Sequence, residues 1–274
     1  MGLSELVKWS FLAGIGQTTP IRLTALVPLI GTLLILNENT ADWLKLSPML
    51  APNTDDAGRH LLTVNSLYFT YFGLCLLGIG SMIFHFRCPI DIKRYQSATH
   101  IAERSDDSPV ISQDRFWEML RLYFGAKGIR GPENEPNFSD EKLDMPDMVT
   151  SSFSGLILSM FEKAEYTQGY IAEVDEEEFL RFHQGPHGRL DTDAVAGLVW
   201  HRTHFNHEVW EEFERLAMTF HKDISYLRYM MLDVSSFYAR LIVAILFLSG
   251  FAILSVPTVR TFISIGSSLL VPTM

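Results

Sequence analysis

The sequence predicts a mainly α-helical, multi-pass membrane protein with an α-helical cytoplasmic domain inserted between its apolar ends. Three observations carry that prediction. Leu61 to Phe84, between His60 and His85, runs for 24 residues without a formal charge. As a helix it reaches about 36 Å, more than the ~30 Å of a bilayer's hydrocarbon core. Leu241 to Val259, between Arg240 and Arg260, does the same for 19 residues, and a helix in water rarely keeps charge off every face for so long. Between the two, residues 87–233 are charged, hold most of the formal net charge of -10, and space their apolar residues as helices do.

The elements follow in order. Residues 3–13 place Leu3, Leu6, Val7 and Phe11 at helical intervals beside Trp9, which suits a short helix in the membrane interface or a frayed terminus. Leu23 to Asn37 offers 15 uncharged residues between Arg22 and Glu38, short of the ~20 a span needs. Snorkelling by Arg22 and the turn from Asn37 to Trp43 complete the length, so this is the first span, kinked at Pro28. Residues 38–60 form a polar loop, and Leu61 to Phe84 is the second span.

Asp114 to Ala126 reads as an amphipathic helix through Phe116, Met119, Leu120, Tyr123 and Phe124, and Gly128 to Pro146 as a loop. Asp147 is placed to cap a helix through Leu156, Met160 and Phe161. Ile171 to Phe182 admits a strand or a short helix, His183 to Gly188 is a turn, and Asp191 to Asp193 is a helix start. Apolar residues then recur at Phe205, Val209, Phe213, Leu216, Phe220, Ile224, Leu227, Met231 and Val234, with a mean step of 3.6. With no proline from Asp193 to Val256, the stripe predicts one long helix, or two nearly collinear ones, over about Phe205 to Val256. It would link domain to membrane, with Phe213, Leu216, Phe220, Leu227 and Met231 as the coupling face. Thr261 to Met274 has 14 residues and reads as a re-entrant or interfacial segment. The domains are therefore 1–86, 87–233 and 234–274.

Charge sets the expected topology. Arg87, Lys93 and Arg94 follow the second span directly, and Arg215, Lys222, Arg228 and Arg240 lie toward the far end, against Lys45 and Arg59 in the 38–60 loop. The positive-inside bias puts the N-terminus and the main domain in the cytoplasm, in a membrane of the bacterial inner-membrane type. No basic n-region with a small-residue cleavage site opens the chain, so no removable signal peptide is expected. The acidic balance lacks the basic footprint that duplex nucleic acid requires. Cys75 and Cys88 are too few for a cysteine zinc site and read as free thiols.

Two constellations have chemical content. Gly73, Gly78, Gly80 and Ser81 on the second span let another helix approach closely, within one chain or at the seam of a homo-oligomer. No Asp, Glu or Lys lies deep in any span, which argues against ion-coupled transport but is compatible with a passive pore. His201, His204, His207, Glu208 and Glu211 fall on about a third of a helix's circumference, at 100° per residue. His and carboxylate at these spacings can hold one divalent metal ion, with His183 and His187 as further ligands. The pattern is neither His-Glu-x-x-His nor a pair of Glu-x-x-His motifs, and a solvated polar face is the simpler account. Gly125 to Gly128 lacks the rest of a P-loop, and no Gly-x-Ser-x-Gly occurs. An enzyme is not the expectation, and no cofactor is called for beyond that metal.

Three functions are consistent with this. The first is a homo-oligomeric membrane effector or channel, driven from its cytoplasmic domain through the long helix. The second is a membrane-anchored scaffold or sensor that recruits a soluble protein. The third is a membrane-bound metalloenzyme using the His/Glu face. The lipid bilayer is a partner in all three.

Overall fold

The computed structural model describes residues 7–18, 56–104, 109–129, 145–173, 190–201 and 207–270, and among these the regular structure is helical, without a strand. The chain runs through α1 (Trp9–Gly16), α2 (Asp56–Arg87), α3 (Ile90–Arg94), α4 (Ala98–Glu103), α5 (Pro109–Ala126) and α6 (Asp147–Phe161). It continues with α7 (Glu165–Glu173), α8 (Thr192–Trp200), α9 (His207–Thr219), α10 (His221–Asp233) and α11 (Phe237–Leu270). The expected first span, Leu23 to Asn37, lies outside the described residues, as does the 38–60 loop up to residue 55. Among the described residues two helices, α2 and α11, are long and apolar enough to cross a membrane.

The chain divides into two compact units. A helical domain comprises Met1–Ser10 with Pro89–Phe237, and an apolar unit comprises Phe11–Cys88 with Tyr238–Met274. The chain therefore passes between them after Ser10, after Cys88 and after Phe237.

The helical domain is built on one core. Phe116, Met119, Leu120 and Tyr123 of α5 meet Phe153, Ile157 and Met160 of α6, Val195 and Val199 of α8, Val209 and Phe213 of α9, and Ile224 and Met231 of α10. Rings stack within it: Tyr123 on Phe153 with centroids 3.6 Å apart, Phe124 on Trp200 at 5.7 Å and Phe116 on Phe213 at 6.4 Å. Each such pair adds about 0.5–1.5 kcal/mol beyond the area it buries. The core reveals why the stripe from Val209 to Met231 repeats every 3.6 residues: it faces α5 and α6. Phe213, Leu227 and Met231 are buried, and Leu216 and Phe220 pack against the same cluster.

Of the expected single long helix or two nearly collinear ones, the single continuous helix is not present. α9 ends at Thr219, Phe220 takes φ −99° and ψ 17°, and α10 starts at His221. A second break follows at Val234, where the Ser235 hydroxyl and backbone N–H both turn back to the Leu232 carbonyl. Ser236 then adopts φ 53°, a left-handed conformation that a side chain resists and a helix cannot contain. Apolar spacing survives these breaks because both helices bury their stripes against one core, and periodicity alone does not register a one-residue interruption.

The helix termini explain other differences. Asp191 caps α8 as expected, accepting from the backbone N–H groups of Asp193 and Ala194. Asp147 does not cap α6; Pro146 occupies that position and Asp147 sits in the first turn, where its charge suits the helix dipole. α5 begins at Pro109, earlier than expected, consistent with proline's preference for a helix's first position. At the other end of the chain α11 continues past Pro257 to Leu270, so residues 261–270 prolong the last apolar helix instead of forming a separate segment.

Candidate functional site

The apolar unit pairs α2 with α11. The most apolar stretches are Tyr68–Arg87 and Phe237–Val259, with mean hydropathy 1.6 and 2.4. At 1.5 Å per residue they extend about 30 and 35 Å. Gly73, Leu77, Gly80, Ser81 and Phe84 are the buried ridge of α2, and Val243, Phe247 and Gly250 that of α11. The two backbones nearly touch where Gly73 and Gly250 oppose one another. A Cβ placed on either glycine would lie 3.0 Å from the other's carbonyl oxygen. One on Gly73 would also lie 2.7 Å from Leu254, and one on Gly250 2.8 Å from Leu77. Gly80 sits under the Phe247 ring, 2.9 Å from where a Cβ would be. Small residues thus set the approach of α2 and α11 within one chain. Gly78 and Ser81 are buried as well. Sequence reasoning missed Gly250, whose signal was the one glycine of the run Leu241 to Val259, next to Ser249.

The opposite faces are bare. Tyr68, Phe72, Ile79 and Met82 on α2, and Ile242, Ile245, Leu248 and Val259 on α11, are exposed large apolar residues. Arg240, near the start of α11, is fully buried.

In the helical domain, α10 gathers all three chain passages. Asp233, at the end of α10 and 4% exposed, accepts from the Ser10 backbone N–H at 2.6 Å and from the Ser10 hydroxyl at 2.8 Å. A carboxylate from a distant helix thereby caps the first turn of α1 and meets the positive end of its dipole. The buried Trp9 indole N–H donates to the Ser235 carbonyl at 3.0 Å. Trp9 is therefore a core anchor, not an interfacial aromatic. At the second passage, the Arg228 guanidinium contacts Asp91 of α3 at 2.6 Å and donates to Glu118 of α5 at 2.6 Å. Burial alone would lower the Arg228 pKa. The hydrogen bonds and charges of Glu118 and Asp91 outweigh it and raise the pKa, so the cation is held. The Tyr229 hydroxyl donates to the Tyr95 carbonyl at 3.1 Å, just after α3. The third passage is the break that follows α10 itself. This clasp of Arg228, Tyr229, Asp233 and Ser235 was invisible in sequence, because its partners stand 110 to 226 positions away.

Two further polar contacts stiffen the domain. Buried Glu212 of α9 accepts from the backbone N–H groups of Tyr166 and Thr167 and from the Thr167 hydroxyl, capping α7. Tyr123 donates to Asp193, which also pairs with Lys127; burial, then that hydrogen bond, raise the tyrosine's pKa.

The His/Glu constellation is not on one helix. α8 ends at Trp200, with His201 following as an exposed cap, and α9 begins at His207. His204 lies outside the described residues, as do His183 and His187. His207 stands 3.5 Å from Glu211 and lies against the Trp210 ring, with centroids 4.6 Å apart. Glu208 instead bonds the Tyr166 hydroxyl, which raises that tyrosine's pKa. Among the described residues no three His, Cys, Asp or Glu side chains converge as metal ligands would.

A groove of about 390 Å³ runs between α6 and α10, lined by Ser152, Gly155 and Ser159 on one side and Phe220, Asp223 and Tyr226 on the other. Comparison with protein-family models, with curated proteins and with solved structures gives no match to this chain.

Proposed function

We propose that this chain is a membrane effector, assembled from several copies, in which the helical domain acts on the paired apolar helices through the α10 clasp. The carrying observation is that α10 bonds Ser10 at the first backbone passage between the two units and Asp91 and Tyr95 shortly after the second, and that the third follows it after the turn at Val234 to Ser236. A shift of α10 pulls on Ser10, on α3 and on the start of α11 together, without any continuous helix between domain and membrane. The bare faces of α2 and α11 supply the surface for lipid and for neighbouring copies, and a channel between copies is the form of activity that this surface favours. The helical domain lies on the cytoplasmic side, where Lys93 and Arg94 follow the apolar helix. Arg228 and Arg240 drop out of that charge argument, since one is paired and the other buried.

The test is release of a trapped dye from liposomes holding the purified protein. Asp233→Ala opens the clasp at α1 while leaving the domain's core residues in place. A leak rate that differs from wild type several-fold, with helix content unchanged by circular dichroism, supports the reading. Equal leak from both proteins and from protein-free liposomes contradicts it.

A second reading, a membrane-anchored sensor that recruits a soluble protein, is favoured by the groove on α6 and α10. It predicts no leak in any state, and loss of partner capture when Gly155→Leu fills the groove. Of the ligands a metalloenzyme would need, His207 stands 3.5 Å from Glu211 on α9, and among the described residues no third joins them, so this reading ranks after the other two.

A further inference from the structure

We infer that α3 docks on anionic lipid headgroups at the membrane surface, an inference that rests on the membrane reading above. α3 has one isoleucine inward and one outward. Ile92 is 2% exposed and pins the helix to the domain, whereas Ile90 is 75% exposed, more than any other large apolar residue described in the helical domain. Only Cys88 and Pro89 separate Ile90 from the end of α2, the apolar helix. An isoleucine standing in water there has no packing role within the domain; at the boundary of headgroups and acyl chains it is covered.

The charges around it point to the headgroup. Lys93 and Arg94 follow on the same short helix, and Arg94 is exposed, its guanidinium 5.8 Å from the Tyr95 ring centroid. Asp91 is the one acid of α3, and Arg228 engages it at 2.6 Å. Arg104, exposed after α4, is balanced by the equally exposed Glu103 beside it in the chain. In a chain of formal net charge -10, Lys93 and Arg94 are a local reversal of sign directly following an apolar helix in the chain. One outward apolar side chain with flanking cations is the chemistry of a surface that meets anionic lipid.

The experiment uses the full chain reconstituted in phosphatidylcholine vesicles with spin-labelled phosphatidylglycerol or phosphatidylcholine as probe. The motionally restricted fraction of each lipid gives the protein's headgroup preference. The expected result is a preference for phosphatidylglycerol that falls roughly five-fold for each charge removed in Lys93→Gln and Arg94→Gln. In the unaltered chain it should also weaken in 1 M salt, where screening shortens to ~3 Å. Restricted lipid with no headgroup preference, or a preference that neither salt nor the substitutions change, overturns the inference and leaves the membrane reading intact. No restricted lipid of either kind overturns both.

Discussion

The helical domain and the apolar unit are held together by opposite means. The domain stacks large rings and ties distant helices with carboxylates: Phe116 on Phe213, Glu212 on the first turn of α7, Asp233 on that of α1. In the apolar unit α2 and α11 meet where side chains are missing, at Gly73, Gly80 and Gly250. A bilayer around the apolar unit and water around the domain would account for the contrast. A domain in water gains from burying bulky apolar area and must satisfy each polar group it buries. Helices in lipid gain little from apolar burial, because the surroundings are apolar as well, and close backbone approach replaces it. The pairing of α2 with α11 is thus of the kind a bilayer rewards.

Substitutions can break or sharpen this contrast. The largest effect is expected from Phe213→Ala, which empties a fully buried site in the domain core. It should cost about 3–5 kcal/mol, read as a lower denaturation midpoint of the helical domain in detergent. Glu212→Ala comes next, since it strands two backbone N–H groups and the Thr167 hydroxyl at the start of α7. A loss of about 3 kcal/mol in the same measurement is expected. Gly73→Ala should cost about 1–3 kcal/mol by forcing α2 from α11, detected as a lower melting temperature in detergent with no change in the domain's denaturation. Gly155→Ala is the converse. Nothing lies within 4 Å of its Cβ position, so it should stabilise α6 by about 0.4–1 kcal/mol. If Gly73→Ala were as harmless as Gly155→Ala, the distinction between the units would fail.

The parts legible in sequence were those that repeat along the chain. Charge-free runs marked α2 and α11, and the stripe from Val209 to Met231 marked α9 and α10. What the stripe could not reveal was its use. Phe213, Leu227 and Met231 serve the core, and the helix is interrupted at Phe220 and again over Val234 to Ser236, short breaks that periodicity passes over. The glycines of α2 were visible and their partner Gly250 was not, since small-residue spacing announces a contact without naming its other half. The clasp left no local trace at all. Asp233 and Ser10 are ordinary residues until folding brings them within 2.6 Å. The His/Glu pattern is only partly on one helix: His207, Glu208 and Glu211 lie on α9, His201 follows the end of α8, and His204 lies outside the described residues.

The central claim is that α10 holds the backbone where it enters the apolar helices. Hydrogen exchange on the full chain in lipid nanodiscs tests it most directly, comparing wild type with Asp233→Ala. The account predicts faster exchange in the first turns of α1 and α11, at Ser10 to Ala13 and Phe237 to Leu241, with the core amides of Phe153 to Met160 unchanged. Unchanged exchange at both helix starts, or acceleration spread evenly over the core, would contradict it.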